Sequence, residues 1–296
     1  MNRRRNERAS LTEPPGDTGT EALARTQRGI QSVEVAGRLL RALADARAPL
    51  APGDLAASGD LPSSQAHAYL VSLTRLGLIK RDSLSGRYEP GPLALRLGLL
   101  HLGQQRALRE AVPQASALAQ TLGCSVALCI AGPQGPTIVR YEHASLPLHV
   151  NLHVGTVMSL PATSTGRVFC AFLAPDALRA MWAGQSAQPV WRGTANAAAA
   201  VPATAHPDAP DAALAATFEA IRARGFDYGV DAPSPGVSSV CVPVRGRNGE
   251  LALTLTAIGA TGALDVRENG AVVRALRDAA GRIGAAAFPS TQPCPE

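Results

Sequence analysis

A chain of 296 residues, 46% hydrophobic but only 4% aromatic, is long enough for two domains, each with its own buried core. Alanine supplies much of the apolar fraction, and no run approaches the roughly 18 unbroken apolar residues of a membrane span, which excludes a membrane partner and predicts an alanine-rich soluble protein. The net charge of +5 is spread as +2 over residues 1–28, +1 over 29–91 and +2 over the remainder, so a nucleic-acid reading must rest on where basic residues stand, not on their number.

Residues 1–28 mix Arg, Thr, Glu, Pro and Gly without periodicity and predict a disordered arm. The opening MNRRRNERAS is basic but lacks the apolar stretch of a secretory signal, so a cytoplasmic protein is expected. From there Ala36, Leu39, Leu40 and Leu43 follow a 3.6-residue spacing, with Ser32 as the expected N-cap and Glu34 in the first turn. Pro52 opens a short second helix that Gly59 ends. A third helix runs from Ser63, its expected N-cap, with Ala66, Leu70 and Leu73 on the buried side and Gly77 as the residue past its end. The following LIKRDSLSGRYEP alternates around a Ser-Gly turn as a basic hairpin. Three helices and a hairpin over 29–91 make a winged helix-turn-helix.

The third helix opens with small polar residues, as suits an element whose leading end enters the major groove, where short hydroxyl and amide side chains approach bases and phosphates closely. The candidate DNA-contacting residues are therefore Ser63, Ser64, Gln65, His67 and Ser72, with Lys80, Arg81 and Arg87 of the hairpin as phosphate contacts. Ser-Ser-Gln is also an ordinary helix start, and it is the order of helices and wing that favours DNA.

The next segment, GPLALRLGLLHLG, carries leucines on every side of a helix and needs cover, most economically from a second copy of the chain, so residues 92–106 are expected to be a helical dimerisation linker. A helix from about Ala107 to Leu122 ends at Gly123. Beyond it SVALCIA, TIVRYEHA, LHVNLHV, SSVCVPV and LALTLTAI read as strands, the last two joined as a hairpin. TSTGRVFCAFL, PDALRAMWA, PDAALAATFEAIRARG and a long helix over DVRENGAVVRALRDAAGRIGAAAF supply helices, while Gly193 to Ala213 reads as an Ala/Pro-rich loop and 289–296 as a tail. The fold class is α+β, with an antiparallel sheet and flanking helices over 107–288.

Four segments in this order, LPSSQAHAYLVSLTRLGLI, GRYEPGPLALRLG, VGTVMSLPATSTGRVFCAFLA and GFDYGVDAPSPGVSSVCVPVRGRNGELALTLTAIG, make the chain resemble the IclR family of bacterial transcriptional regulators from about Gly29 to Phe288. The resemblance implies a DNA-binding winged helix-turn-helix, a dimerising linker and a C-terminal GAF-like domain that binds a small metabolite, often an organic acid. It implies a repressor or activator acting as a homodimer or tetramer on a palindromic double-stranded operator. The sequence departs from the family pattern in having Ala68 after His67, Gly229 where an acid often lines the effector pocket, Ser239 in place of a cysteine and Arg167 in place of a lysine. These departures point away from the usual 2-oxo acids. Ala68 and the near-neutral 29–91 keep open a second reading, a ligand-binding module that has lost specific DNA binding.

Strand alternation points to the same pocket. Leu251, Leu253 and Leu255 lie on one face of their strand and Thr254 and Thr256 on the other, as Val240, Val242 and Val244 oppose Ser239 and Cys241. The hydroxyl-bearing face suits water or a polar ligand. Thr163, Ser164, Thr165 and Gly166 stand at a helix N-terminus, which attracts anions. A small organic acid is expected there on Ser164, Thr165, Gly166, Ser239, Thr254 and Thr256, between apolar walls from Leu148, Val150 and Met158. No GxSxG, HExxH, P-loop or GxGxxG is present, so no enzyme is expected, and neither is a cofactor. His149 and His153 share a strand face without an evident third ligand, and the five cysteines form no C-x-x-C pair and read as reduced packing thiols rather than nucleophiles, so no metal site is assigned.

Overall fold

The computed structural model describes residues 29–46, 48–144, 150–186 and 212–289. The expected arm, most of the Ala/Pro-rich loop and the tail past 289 lie outside them, as do Leu148, His149 and Cys294. The chain divides into two compact units, Met1–Glu89 and Pro90–Glu296.

In the first unit the helices are α1 (Gln31–Ala46), α2 (Pro52–Ser58) and α3 (Ser63–Arg75), followed by the short strands β1 (Ile79–Arg81) and β2 (Tyr88–Pro90), which pair with each other. Val35, Leu39, Ala42 and Leu43 repeat at helical spacing on α1 and are buried. Leu39, Ala42 and Leu43 meet Leu55 of α2, Leu70 and Leu73 of α3, Ile79 and Tyr88 in one core. Gly59 ends α2, and a Cβ there would stand 2.8 Å from Leu39 Cδ2, so a larger residue would push the Leu39 side chain of α1 aside. Gly77, at φ 75°, terminates α3 with paired bonds, its own N–H to the Thr74 carbonyl (2.9 Å) and that of Leu78 to Leu73 (3.0 Å). The hairpin is anchored below by Leu50 and Tyr88, which exchange backbone hydrogen bonds of 3.0 and 2.8 Å.

Two caps differ from expectation. Ser32 lies inside α1, where the Ile30 carbonyl accepts from the Val33 and Glu34 amides. Ser63 is the first helical residue of α3, and Pro62 occupies the cap position with φ −58° and its carbonyl accepting from Ala66 at 2.9 Å. The ring of Pro62 presets the entry, so no side-chain cap is needed and the Ser63 hydroxyl is not consumed by one.

The second unit runs α4 (Pro92–Gln104), α5 (Arg106–Leu122), β3 (Ser125–Gly132), β4 (Gly135–Glu142), α6 (Ser164–Phe172), α7 (Pro175–Ser186), α8 (Ala212–Arg224), β5 (Asp227–Gly229), β6 (Val237–Arg245), β7 (Leu251–Ala260) and α9 (Ala271–Ala287). The strands form one antiparallel sheet in the order β4-β3-β7-β6-β5. Val126, Leu128, Val240, Val242, Val244, Leu253 and Leu255 face α5 and α9, while Ala127, Cys129, Cys241 and Ile258 face Phe169 of α6, Trp182 of α7 and Ile221 of α8. Helices therefore cover both faces, and the hydroxyl-bearing face, which strand alternation alone left open to water, is buried with Thr254 and Thr256 almost fully enclosed.

LHVNLHV forms no strand over its described residues 150–154. Instead the chain turns at Gly155 (φ 91°), the Thr156 hydroxyl accepts from the His153 amide at 3.2 Å, and residues 155–158 pair with β4 through Val157 opposite Thr137 and backbone bonds to Pro136 and Ile138. The last helix begins at Ala271 rather than Asp265, because the Asp265 carboxylate takes the backbone and side-chain N–H groups of Arg267 and holds a turn ahead of Gly270.

Candidate functional site

On α3 the buried Ala66 leaves Ser63, Ser64, Gln65 and His67 exposed together at the leading end. Ser72, also exposed, donates to the Ala68 carbonyl at 3.0 Å, so its hydroxyl remains an acceptor only. The wing is held rigidly. Asp82 accepts from the Leu84 and Ser85 amides (3.2 and 2.7 Å) and the Ser85 hydroxyl (2.7 Å), closing a turn in which Gly86 adopts φ 67°. Arg81 donates to the Gly86 carbonyl at 3.0 Å and lies 5.9 Å from the centre of the Tyr88 ring, and Arg87 donates to Pro49 at 3.1 Å. Lys80 pairs with Glu89 at 2.8 Å, and this carboxylate holds the ammonium above its ordinary pKa. All three basic side chains are exposed, but each already has an intramolecular partner that the sequence reading missed; for Lys80 the signal was legible in Glu89 on the paired strand.

In the second unit five of the expected effector residues line one cavity: Met158, Ser164, Thr165, Ser239 and Thr256. They arrive from different elements. Thr163 caps α6 by accepting from the Gly166 amide at 2.9 Å while donating to the Ser159 carbonyl at 2.7 Å. This aims the next two side chains at the sheet, where Ser164 meets Ser239 of β6 at 2.9 Å and Thr165 meets Thr256 of β7 at 2.8 Å. Among the described residues the amides of Ser164 and Thr165 have no partner, as the first turn of a helix requires. The remaining wall is apolar, from Leu152, Ala232, Pro233, Val237 and Ile258. Val237 and Ile258 were within reach of strand periodicity, two residues from Ser239 and Thr256; Ala232 and Pro233 reach the cavity only through tertiary folding.

The other expected residues stand elsewhere. A Cβ on Gly166 would lie 2.0 Å from the Ser159 carbonyl oxygen, so this glycine packs on backbone and its amide is taken by Thr163. Thr254 is fully buried opposite Cys129 of β3, outside the cavity, and its hydroxyl finds no hydrogen-bond partner among the described residues. Val150 packs half-buried against the core behind the wall, and Leu148 lies outside the described residues.

The cavity measures about 20 Å³, room for a single water. Gln185, buried on α7, holds its rim: its carbonyl accepts from Leu160 (2.7 Å) and its amide donates to Met158 and Gln134 (both 3.0 Å). Arg167 does not face the cavity. It donates to Asp227 at 2.7 Å and to the Pro161 and Tyr228 carbonyls, and Asp227 also pairs with Arg224. Asp231 turns back to accept from the Gly236 amide. Among the described residues the lining therefore contains hydroxyls, amides and hydrocarbon, with no charged side chain. Burial pushes the Cys124 thiol up to about 11 and those of Cys170 and Cys241 to about 12, against nucleophilic roles.

The IclR helix-turn-helix domain model matches residues 32–83, and the bacterial transcriptional regulator IclR C-terminal model matches residues 101–285. The chain is 30% identical over 238 residues to the glycerol operon regulatory protein of Streptomyces coelicolor, covering 80% of this chain and 87% of that protein. Of the solved structures, Pseudomonas aeruginosa HmgR is 28% identical with a TM-score of 0.52, covering 88% of this chain and all of the other. An IclR homolog from Microbacterium hydrocarbonoxydans, complexed with 4-hydroxybenzoate, shares the fold at 19% identity and a TM-score of 0.64, over 86% of this chain and 98% of that one. With family models matched in both units and a relative aligned over four-fifths of its length, the chain belongs to the IclR family of bacterial transcriptional regulators, proteins that bind DNA through the first unit and a ligand through the second and are not enzymes.

Proposed function

We propose that a small organic acid binds at the N-terminus of α6 and shifts the affinity of a homodimer or tetramer for a palindromic operator. The observation that carries this reading is the pairing of Ser164 with Ser239 and of Thr165 with Thr256 beside two unpartnered amides, under an apolar cover. Neutral hydroxyl pairs exchange partners at little cost, and a carboxylate received there gains hydrogen bonds from two amides and up to four hydroxyls, with the positive end of the helix dipole beneath it. Because the cavity holds only a water, an acid must separate α6 from the rim formed by Leu152, Met158 and Pro233. A ligand that prefers the opened arrangement shifts the population toward it, and operator affinity changes by that difference in preference.

The test combines calorimetry with DNA binding. Organic acids are screened together with glycerol, since the Streptomyces coelicolor relative is named for a glycerol operon. The active compound should bind wild type, fail to bind Ser164→Trp and Thr165→Trp, and alter affinity for the upstream intergenic DNA. Gln65→Ala should relax specificity at one or two base pairs, whereas Arg87→Ala should weaken all duplexes alike. Acid binding that survives both tryptophan substitutions overturns the assignment of the pocket. The second reading, a module without specific DNA binding, draws on Ala68 and on the Lys80–Glu89 pair, which withdraws a wing charge. It predicts no preference for the upstream DNA over random duplex.

A further inference from the structure

We propose that the second unit carries a second ligand site, a cleft between α9 and the open edge of β6 that binds a small polyanion bearing carboxylate or phosphoryl groups. The short β5 pairs with β6 only from Ser239 to Cys241. Beyond it Val242, Pro243 and Arg245 border a cleft of about 750 Å³, in the size range of small-molecule sites. The opposite wall is a run of α9 without bulky side chains, Ala280, Gly281, Gly284 and Ala285. A Cβ on Gly281 would meet nothing within 4 Å, so the space above it is open to a ligand.

Basic residues predominate at this cleft: among the described residues its lining includes Arg245, Arg247 and Arg277 and neither aspartate nor glutamate, while the Glu250 carboxylate stands beside Gly246 and accepts from the Asn248 amide. Arg277 is held in place, 4.9 Å from the centre of the Phe226 ring and bonded to the Arg224 carbonyl. Its acidic neighbour Glu268 stands 3.5 Å away in a half-exposed pair that opens cheaply. Arg247 donates to the Phe288 carbonyl at 3.3 Å, whereas Arg245 borders the cleft with its backbone carbonyl, which faces Gly284, and sends its guanidinium over the Phe172 ring of α6 on the other side of the sheet. Guanidiniums fixed by rings and carbonyls have lost much of their rotamer freedom before any ligand arrives, and they match carboxylate and phosphoryl oxygens in geometry as well as charge. Two such groups, on Arg247 and Arg277, favour a ligand with more than one negative charge. None of the lining residues is shared with the α6 cavity, so the proposal does not rest on the organic-acid reading; β6 nonetheless runs through both, with Ser239 in one and Val242 in the other.

The probes are citrate and inorganic pyrophosphate, titrated separately into the full chain by calorimetry at about 0.15 M salt, where loose surface attraction is screened. At least one should bind saturably with one site per chain, and which of the two binds distinguishes a carboxylate from a phosphoryl ligand. Gly281→Met, whose Cβ meets nothing within 4 Å and whose longer side chain projects into the cleft, should abolish binding while the thermal midpoint stays level or rises, since glycine inside a helix is unfavourable. Arg247→Ala should weaken binding roughly tenfold, the scale of one charge-assisted hydrogen bond, without needing any added bulk to fit. Ser164→Trp, in the other cavity, should leave it unchanged. The proposal is overturned if neither anion binds, if binding survives both Gly281→Met and Arg247→Ala, or if Ser164→Trp removes it.

Discussion

Single side chains set how strongly the first unit can hold DNA. Lys80 lies exposed on β1, yet Glu89 pairs with it across the hairpin at 2.8 Å. Glu89→Gln should therefore raise affinity for specific and random duplexes alike and steepen the slope of log affinity against log salt by about one, as one further neutralised phosphate releases its counterion. Fluorescence anisotropy across a salt series measures both, and an unchanged slope would remove Lys80 from the interface. At the same scale in the second unit, a one-residue shift in capping matters. With Thr163 as the cap, Ser164 and Thr165 point into the sheet; their hydroxyls are then available to a ligand instead of being spent on the helix itself.

Among elements, α6, β5 and the end of α8 are tied by one buried carboxylate. Asp227, with only 3% of its side chain exposed, receives Arg167 from α6 and Arg224 from α8. Removing it strands two guanidiniums in a largely enclosed position, so Asp227→Ala should cost about 3–5 kcal/mol of unfolding free energy in urea titrations. A loss below about 1 kcal/mol would show that the pair is solvated and does not fix α6. The same tie explains why Arg167, despite standing where the family pattern has a lysine, is unavailable to an effector. Its charge is directed at Asp227, and among the described residues the polar groups of the cavity are hydroxyls and amides.

At the scale of the whole molecule, α4 is the element that its own unit does not satisfy. Leu95, Leu97, Leu99 and Leu100 are between 52% and 64% exposed, and none of its residues is buried. In the homodimer proposed above, a second copy covers this apolar surface. On that proposal the double substitution Leu95→Arg with Leu99→Arg should shift sedimentation toward a one-chain species. Operator affinity should then fall by about 10²-fold or more, because the two tethered half-site contacts of the proposed dimer become independent. An unchanged mass would assign that surface to another role.

Much of this was legible in order and spacing. Helix periodicity, Pro52 at a helix start, Gly77 and Gly123 at helix ends, and two alternating strands around RGRNGE are local signals, and local signals suffice because each element carries its own pattern of buried and capped groups. The α+β class, the winged helix-turn-helix and the polar leading end of α3 were all determined in this way. What the tertiary structure alone decided was enclosure and pairing. Strand alternation separates Thr256 from Leu255 but cannot say that α6 covers the hydroxyl face, that Gly155 turns LHVNLHV out of the sheet, that Gly166 packs against Ser159, or that Asp227 claims Arg167. Those outcomes depend on which distant segment arrives opposite a residue. That is a property of the assembled core, and no window of the chain contains it.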